Sequence, residues 1–316
     1  MAQTRKFLSR FVLATYLIPG NLKTKYMKKC IVMLGLILLG GSVWGQSLGK
    51  ERIDRLKESV VRILVNDTAA GTGFIVSSKG WIATNLHVVK SSIGTVNGRN
   101  QLVKKLEVQL ANGEKVAASI SDHTLGNGYL HAFSYDYALI KPTTPFKSKT
   151  SALKIGTFAN VAEGDEIYSC GHPLGIKPQF ISKGMISTFW KDTLNVLRDG
   201  KPFRTVVRDV CYLDMTLNRG NSGGPIIKIM DINDPSKDVV VGIATFILNP
   251  YGVPSEQLLQ IYNQQANNFM FEVNGVDQNL GTKIALSAIA NNSIGVSGMI
   301  SIDYLRSLST PFDFMK

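Results

Sequence analysis

From residue 60 onward, apolar residues alternate with polar ones or fall into short unbroken runs, and Gly, Asn, Asp and Pro end each run. That is the pattern of strands rather than helices. The spacing predicts strands over Val60–Val65, Phe74–Ser77, Trp81–Asn85, Leu106–Leu110, Val116–Ser121 and Tyr137–Lys141, with hairpin turns at Ser78-Lys79-Gly80 and Asn112-Gly113. Before them, Glu51–Glu58 has the period of a short amphipathic helix. A Thr-, Ser-, Lys- and Pro-rich stretch from Pro142 to Leu153 reads as a linker. Strands then follow near Glu166–Cys170, Gln179–Phe189, Thr205–Leu213, Pro225–Met230, Val239–Phe246 and Gly295–Ser301, with a short helix from Asp303. Lys191 to Phe203 reads as a lengthened loop. Leu248 to Ser293 reads as an insertion with a helix-compatible Ser255–Ala266 and a β-like Asn268–Val273. The fold class is all-β, with no internal repeat.

The chain carries a formal net charge of +12. Much of it is confined to residues 1–45, which hold seven Lys or Arg and no Asp or Glu. The remainder has 28 basic and 23 acidic residues, an ordinary surface that does not call for a nucleic-acid partner. The asymmetry marks a leader. Lys28-Lys29 precedes the apolar run Cys30 to Leu39, and Val43 and Gly45 suit cleavage before Gln46. Residues 27–45 are therefore expected to be a signal peptide and 1–26 an upstream extension that is untranslated or removed. The run is shorter than the roughly 20 residues of a membrane span, so no stable membrane association is expected after cleavage; an uncleaved signal anchor is the alternative. The expected location is periplasmic or secreted. Cys170 and Cys211 remain in the mature chain, where they either bridge or stand as separate buried thiols.

The candidate chemistry lies in Gly220-Asn221-Ser222-Gly223-Gly224-Pro225. A serine between glycines sits where backbone N–H groups can face a substrate oxygen, but its hydroxyl attacks only with a base and an oxyanion acceptor. Suitable partners lie upstream: His87 in Thr84-Asn85-Leu86-His87-Val88-Val89, and Asp136 before Tyr137-Ala138-Leu139-Ile140. Gly220 to Gly224 also fits the nucleophile elbow of α/β-hydrolases, which requires a histidine after the serine. All four histidines precede Ser222, which excludes that reading. Asp122 is the competing carboxylate but lacks the strand that follows Asp136. His123, His131 and His172 have no metal-ligand spacing and read as loop surface; no metal and no cofactor is implied.

In these segments, and in Gly71-Thr72-Gly73-Phe74-Ile75-Val76, Gly171-His172-Pro173-Leu174-Gly175 and Gly242-Ile243-Ala244-Thr245, the chain resembles the trypsin-like serine peptidases, in particular their HtrA/DegP-like branch. The resemblance implies two six-stranded antiparallel β-barrels with a short C-terminal helix. The first would span 46–145 with His87 and Asp136, the second 146–316 with Ser222 and the insertion at about 248–293. It implies polypeptide substrates and a peptidase without PDZ modules, and it favours unpaired cysteines. His87 would be the general base, Asp136 its orienting carboxylate and Ser222 the nucleophile, with Gly220 and Ser222 N–H groups as the oxyanion hole. Thr245 matches the position whose hydroxyl supports the carboxylate. Asn221 replaces the Asp that digestive members pair with a new N-terminus, so activation by N-terminal insertion is not expected. Met215, Thr216, Thr245, Phe246 and Ile247 would line the specificity pocket. Arg219 would either touch substrate at the rim or stand solvated. Ala244 stands where glutamyl endopeptidases carry histidine, which argues against Glu specificity. The competing function is a catalytically silent peptide-binding protein whose cleft the insertion blocks.

Two predictions follow from residues alone. Exported protein should begin at or near Gln46, checked by intact mass; recovery of residues 27–45 in a membrane fraction would establish an anchor instead. The second concerns P1 specificity. Ile247 would narrow the pocket mouth and no acid faces a basic side chain, so Val, Ala, Ile or Thr should be favoured at P1. The preference should be graded, since each methylene is worth about 1–3 kcal/mol. A cleavage profile on denatured protein dominated by Lys, Arg or Phe overturns it, and Ile247→Gly should admit Phe.

Overall fold

Helix α1 (Lys50–Ser59) buries Arg52, Leu56 and Ser59, positions that share one helical face, and ends where Val60 turns to extended backbone. The computed structural model describes residues 48–198, 201–247, 272–273, 276–277, 296–306 and 308. The leader, the helix expected at Ser255–Ala266 and nearly all of the insertion lie outside the described residues. Among the described residues, no helix is long and apolar enough to cross a membrane.

Six strands after α1 close a barrel. They are β1 (Val60–Val65), β2 (Thr68–Ile75), β3 (Ile82–Thr84), β6 (Leu106–Gln109), β7 (Lys115–Ile120) and β8 (Ala138–Pro142), in the order β1-β2-β3-β8-β7-β6. Pairing of Arg62 with Gln109 returns the sheet to β1 and removes its edges. The β1–β2 turn uses Asn66 and Asp67 at φ 48° and 63°, as a two-residue hairpin turn requires. Ile63, Ile75, Ile82, Val108, Ile120 and Ile140 fill the interior. A small hairpin, β4 (Ile93–Val96) with β5 (Arg99–Leu102), stands apart from the barrel sheet.

The second half pairs β10 (Glu166–Gly171), β11 (Phe180–Arg198), β12 (Lys201–Asp214), β13 (Pro225–Lys228), β14 (Val239–Ile247) and β17 (Val296–Ser301) in the order β13-β10-β11-β12-β17-β14. The β13–β14 pairing closes this ring as well, and β9 (Lys154–Ile155) adds to β14 in parallel. Its interior holds Ile167, Ile186, Leu213, Ile226, Val241 and Met299. A third cluster contains Phe74, Tyr137 and Leu139 from one barrel with Cys170, Ile227, Ile243 and Ile300 from the other. The two barrels thus share a buried seam. Short strands β15 (Glu272–Val273) and β16 (Val276–Asp277) pair with each other.

Two expectations are corrected, on the 191–203 stretch and on the further histidines, and the stretch between Ser121 and Tyr137 is filled in. Lys191 to Phe203 is not a loop: β11 and β12 stay paired from Met185–Asp214 out to Arg198–Lys201, a long two-stranded ribbon. Cross-strand ion pairs of Asp192 with Arg208 and Lys191 with Asp209 hold the ribbon, which buries Val206 opposite Leu194. The Ser121–Asp136 stretch is helical. Ser121 caps α2 (Asp122–Leu125) by accepting from the Thr124 N–H, and α3 (Tyr129–Tyr135) follows. The three further histidines are not loop surface. His172 is 1% exposed, and His123 and His131 are half-buried on the Tyr137 hydroxyl, His131 Nδ1 at 2.7 Å. Cys170 and Cys211 are both buried and unbridged, and burial pushes each thiol up to about 12.

One buried ion pair ties α1 to the loop before β14. Arg52 Nε lies 2.6 Å from Asp238 Oδ2, both side chains under a tenth exposed, and the guanidinium also donates to the carbonyls of Asp231 and Ile232. Burial outweighs the guanidinium and leaves the Asp238 carboxyl above its ordinary value. Arg52→Ala should therefore destabilise by about 3–5 kcal/mol in urea unfolding, since it strands a buried carboxylate. Arg52→Ala with Asp238→Ala should recover part of that loss. A double variant no more stable than the single one would show that the stranded charge is not the cause.

Candidate active site

His87 stands on a single helical turn, Leu86–Val89, that starts as β3 ends. Its neighbours Leu86 and Val88 are buried in the first barrel, which leaves the His87 ring half-exposed at the surface. Asp136 is the residue that stops α3. It adopts left-handed backbone at φ 49°, which Asp tolerates better than most residues. Asn85 Nδ2 donates to the Asp136 carbonyl at 2.8 Å and holds that conformation.

The carboxylate of Asp136 receives three hydrogen bonds. His87 Nδ1 donates to Oδ2 at 2.8 Å and the His87 backbone N–H to Oδ1 at 3.0 Å. Thr245 Oγ1, from β14 of the second barrel, donates to Oδ2 at 2.8 Å. Burial alone would raise the Asp136 carboxyl; the His87 charge and these hydrogen bonds win and hold it below its ordinary value. An ionised Asp136 accepts from Nδ1–H, so Nε2 is the nitrogen left to gain or lose a proton.

Ser222 is half-buried in a turn clamped from two sides. Gly223 N–H donates to Ala244 O at 2.8 Å and Ala244 N–H to Gly224 O at 2.9 Å, so β14 holds the turn one residue from Thr245. On the other side, Thr72 N–H donates to Ser222 O at 2.9 Å. Gly223 is at φ 85°, and a Cβ there would collide with the Thr72 carbonyl and the Thr84 hydroxyl. Ser222 therefore lies against the strand end that leads into His87. Among the described residues, the Ser222 hydroxyl makes no hydrogen bond. In serine–histidine sites without substrate this bond is often long and tightens as substrate binds.

The backbone before the serine faces inward by its carbonyls. Arg219 O accepts from Leu174 N–H at 2.5 Å and Gly220 O from Thr72 Oγ1 at 2.6 Å. In a trans peptide the N–H points opposite to its C=O, so the Gly220 N–H is directed away from the 172–175 loop. Among the described residues, neither the Gly220 nor the Ser222 N–H donates to any group. Gly220 is at φ 95°, and a Cβ there would strike the His172 carbonyl.

The structure thus joins His87, Asp136 and Thr245 by hydrogen bonds, and holds Gly220 and Ser222 through Thr72 and the end of β14. Thr216 and Arg219 are exposed, whereas Met215 is 2% exposed within the second core. The side chains of Phe246 and Ile247 lie outside the described ones. Asn221 is buried, its side chain against the Gly171 backbone. A cleft of about 360 Å³ opens beside His87, with Asn66, Ala69 and Lys104 in its wall. Sequence reasoning assigned no role to Thr72, Thr84 or Asn85. The available signal was their place in Gly-Thr-Gly and Thr-Asn-Leu-His, where polar side chains sit within otherwise apolar strand ends.

Comparison with known proteins agrees with this geometry. Mouse serine protease HTRA3 is 30% identical over 205 residues, covering 63% of this chain and 38% of that protein. The chloroplastic Protease Do-like 1 of Arabidopsis thaliana is 27% identical over 186 residues, covering 59% of this chain and 35% of that protein. The chain therefore spans well under half the length of these relatives. Among solved structures, the HtrA-type protease AlgW with a tripeptide superposes at a TM-score of 0.50 with 17% identity, over 84% of this chain and 64% of that one. At that identity the likeness concerns the fold. Residues 71–231, about half of the chain and including His87, Asp136 and Ser222, match the family model described as the trypsin-like peptidase domain, and to that family this chain belongs.

Proposed function

We propose that this chain is a serine endopeptidase that hydrolyses peptide bonds through an acyl-enzyme, with His87, Asp136 and Ser222 as its triad. The observation that carries the reading is the 2.8 Å hydrogen bond between His87 Nδ1 and Asp136 Oδ2, with Ser222 presented on the same seam. His87 Nε2 takes the Ser222 proton as Oγ attacks the scissile carbonyl, and later returns it to the leaving amine. Asp136 fixes the tautomer and stabilises the imidazolium, and Thr245 steadies Asp136. The carbonyl oxygen, becoming negative, is received by the N–H groups of Gly220 and Ser222. Substrate backbone pairs along β14, with Thr216 and Arg219 facing it and Thr245, Phe246 and Ile247 around P1. Small or medium apolar P1 residues in unfolded envelope or secreted polypeptides are the substrates this reading favours, with export through the 27–45 leader.

A fluorophosphonate should label the mature protein at Ser222 and nowhere else. Ser222→Ala should abolish peptide hydrolysis, a loss of several orders of magnitude, with thermal stability nearly unchanged. Activity of the variant within tenfold of the wild type would sink the assignment.

A further inference from the structure

Thr72 belongs to the first barrel and has no place in the triad, yet it is fully buried and makes two hydrogen bonds to the nucleophile turn. Its hydroxyl donates to Gly220 O at 2.6 Å and accepts from His172 N–H at 3.0 Å. Its backbone N–H donates to Ser222 O at 2.9 Å. Its own carbonyl is held by Thr84 Oγ1 at 2.7 Å, on the strand that leads to His87. One side chain thereby connects the serine turn and the 172–175 loop to the strand carrying the base.

We propose that the Thr72 hydroxyl is a positioning group for the oxyanion hole, setting the backbone of Gly220 from the opposite barrel. The proposal rests on the reading of Ser222 as nucleophile. Gly220 lies between two peptide planes, and each is pinned by its carbonyl. Leu174 N–H holds the plane before it and Thr72 Oγ1 holds the plane after it. A glycine at φ 95° has no side chain to resist rotation, so the Leu174 bond sets where its N–H points while the Thr72 bond holds the plane that follows and, through His172, the loop that supplies Leu174. The loop supplying the Leu174 bond is itself tied to Thr72 through His172 N–H. Loss of the hydroxyl therefore leaves the second plane held only by the Asn221 N–H on Asn218 O, at 3.0 Å, and loosens the anchor of the first. Ground-state binding along β14 does not pass through this contact, whereas stabilisation of the tetrahedral oxyanion does. The effect belongs in kcat rather than KM.

The test compares Thr72→Val with Thr72→Ser in the full mature chain, assayed on the peptide that the wild type cleaves best. A peptide aldehyde of the same sequence serves as probe, since its hemiacetal oxygen occupies the hole. Losing one oxyanion donor outright costs about 10²–10³ in kcat, so a misaimed donor should cost Thr72→Val about 10–100-fold. KM should stay within about twofold, and aldehyde affinity should fall in step with kcat. Thr72→Ser, which keeps the hydroxyl, should remain within about threefold of wild type. Thr72→Ala set against Thr72→Ser repeats the deletion without a buried isopropyl group, should Thr72→Val fail to fold. A Val variant within threefold of wild-type kcat, a Ser variant as slow as Val or Ala, or a loss confined to KM overturns the proposal. Wild-type protein that neither cleaves nor labels at Ser222 defeats the functional reading instead, which separates the two failures.

Discussion

The serine turn fits this molecule in only one way, because no atom can be added between Gly223 and the first barrel. A Cβ at Gly223 would overlap the Thr72 carbonyl and the Thr84 hydroxyl, and one at Gly71 would meet the Ser222 carbonyl at 2.9 Å. At the serine turn, therefore, the seam brings backbone against backbone and short hydroxyls. That contact places the Ser222 turn of one barrel against the strand end that leads to His87 on the other without a long, mobile side chain. Close-packed interiors transmit small displacements rather than absorbing them, so the barrels must both be closed and rigid for the contact to persist. Pairing of Arg62 with Gln109 and of Pro225 with Ile243 closes the two rings.

Polar groups at the seam are organised by direction. Carbonyls of Arg219, Gly220 and Ser222 face protein donors, while among the described residues the Gly220 and Ser222 N–H groups donate to none. The same economy governs Asp136. Every described donor on its carboxylate, from His87 and Thr245, stabilises the charged form, so a carboxyl that burial would neutralise stays ionised. Its helix-ending backbone, with the Asn85 contact, aims it before any catalytic partner is present. Preorganisation of this kind spares the reorganisation that water would have to undergo as charge develops.

Much of this was legible from the chain. The run Val60–Val65 and the alternation around Leu106 and Val116 marked the first barrel, because strand period and turn residues are local properties. The ribbon over 191–203 was not legible as strand. Its Lys, Asp, Asn and Arg residues imitate a loop, and its order comes from partners on the neighbouring strand, with Lys191 opposite Asp209. Asp199-Gly200, a hairpin signal in the sequence, was the clue available there. The histidines misled for a similar reason. Nothing adjacent to His131 or His172 reveals that a Tyr137 hydroxyl or a packed 172–176 turn encloses it.

By itself the sequence determined the chemistry: a serine in a glycine turn, the order of histidine, aspartate and serine, and a set of strands long enough for two barrels. These follow from residue type and short-range spacing. Tertiary structure alone decided which carbonyls of the serine turn are held by the first barrel and the 172–175 loop. That outcome depends on Thr72 reaching Gly220 across 148 residues of chain, and Thr245 reaching Asp136 across 109. Contacts so distant along the chain leave no periodicity to read. They exist only because two closed barrels meet along a seam that, at Gly223, has no room for a side chain.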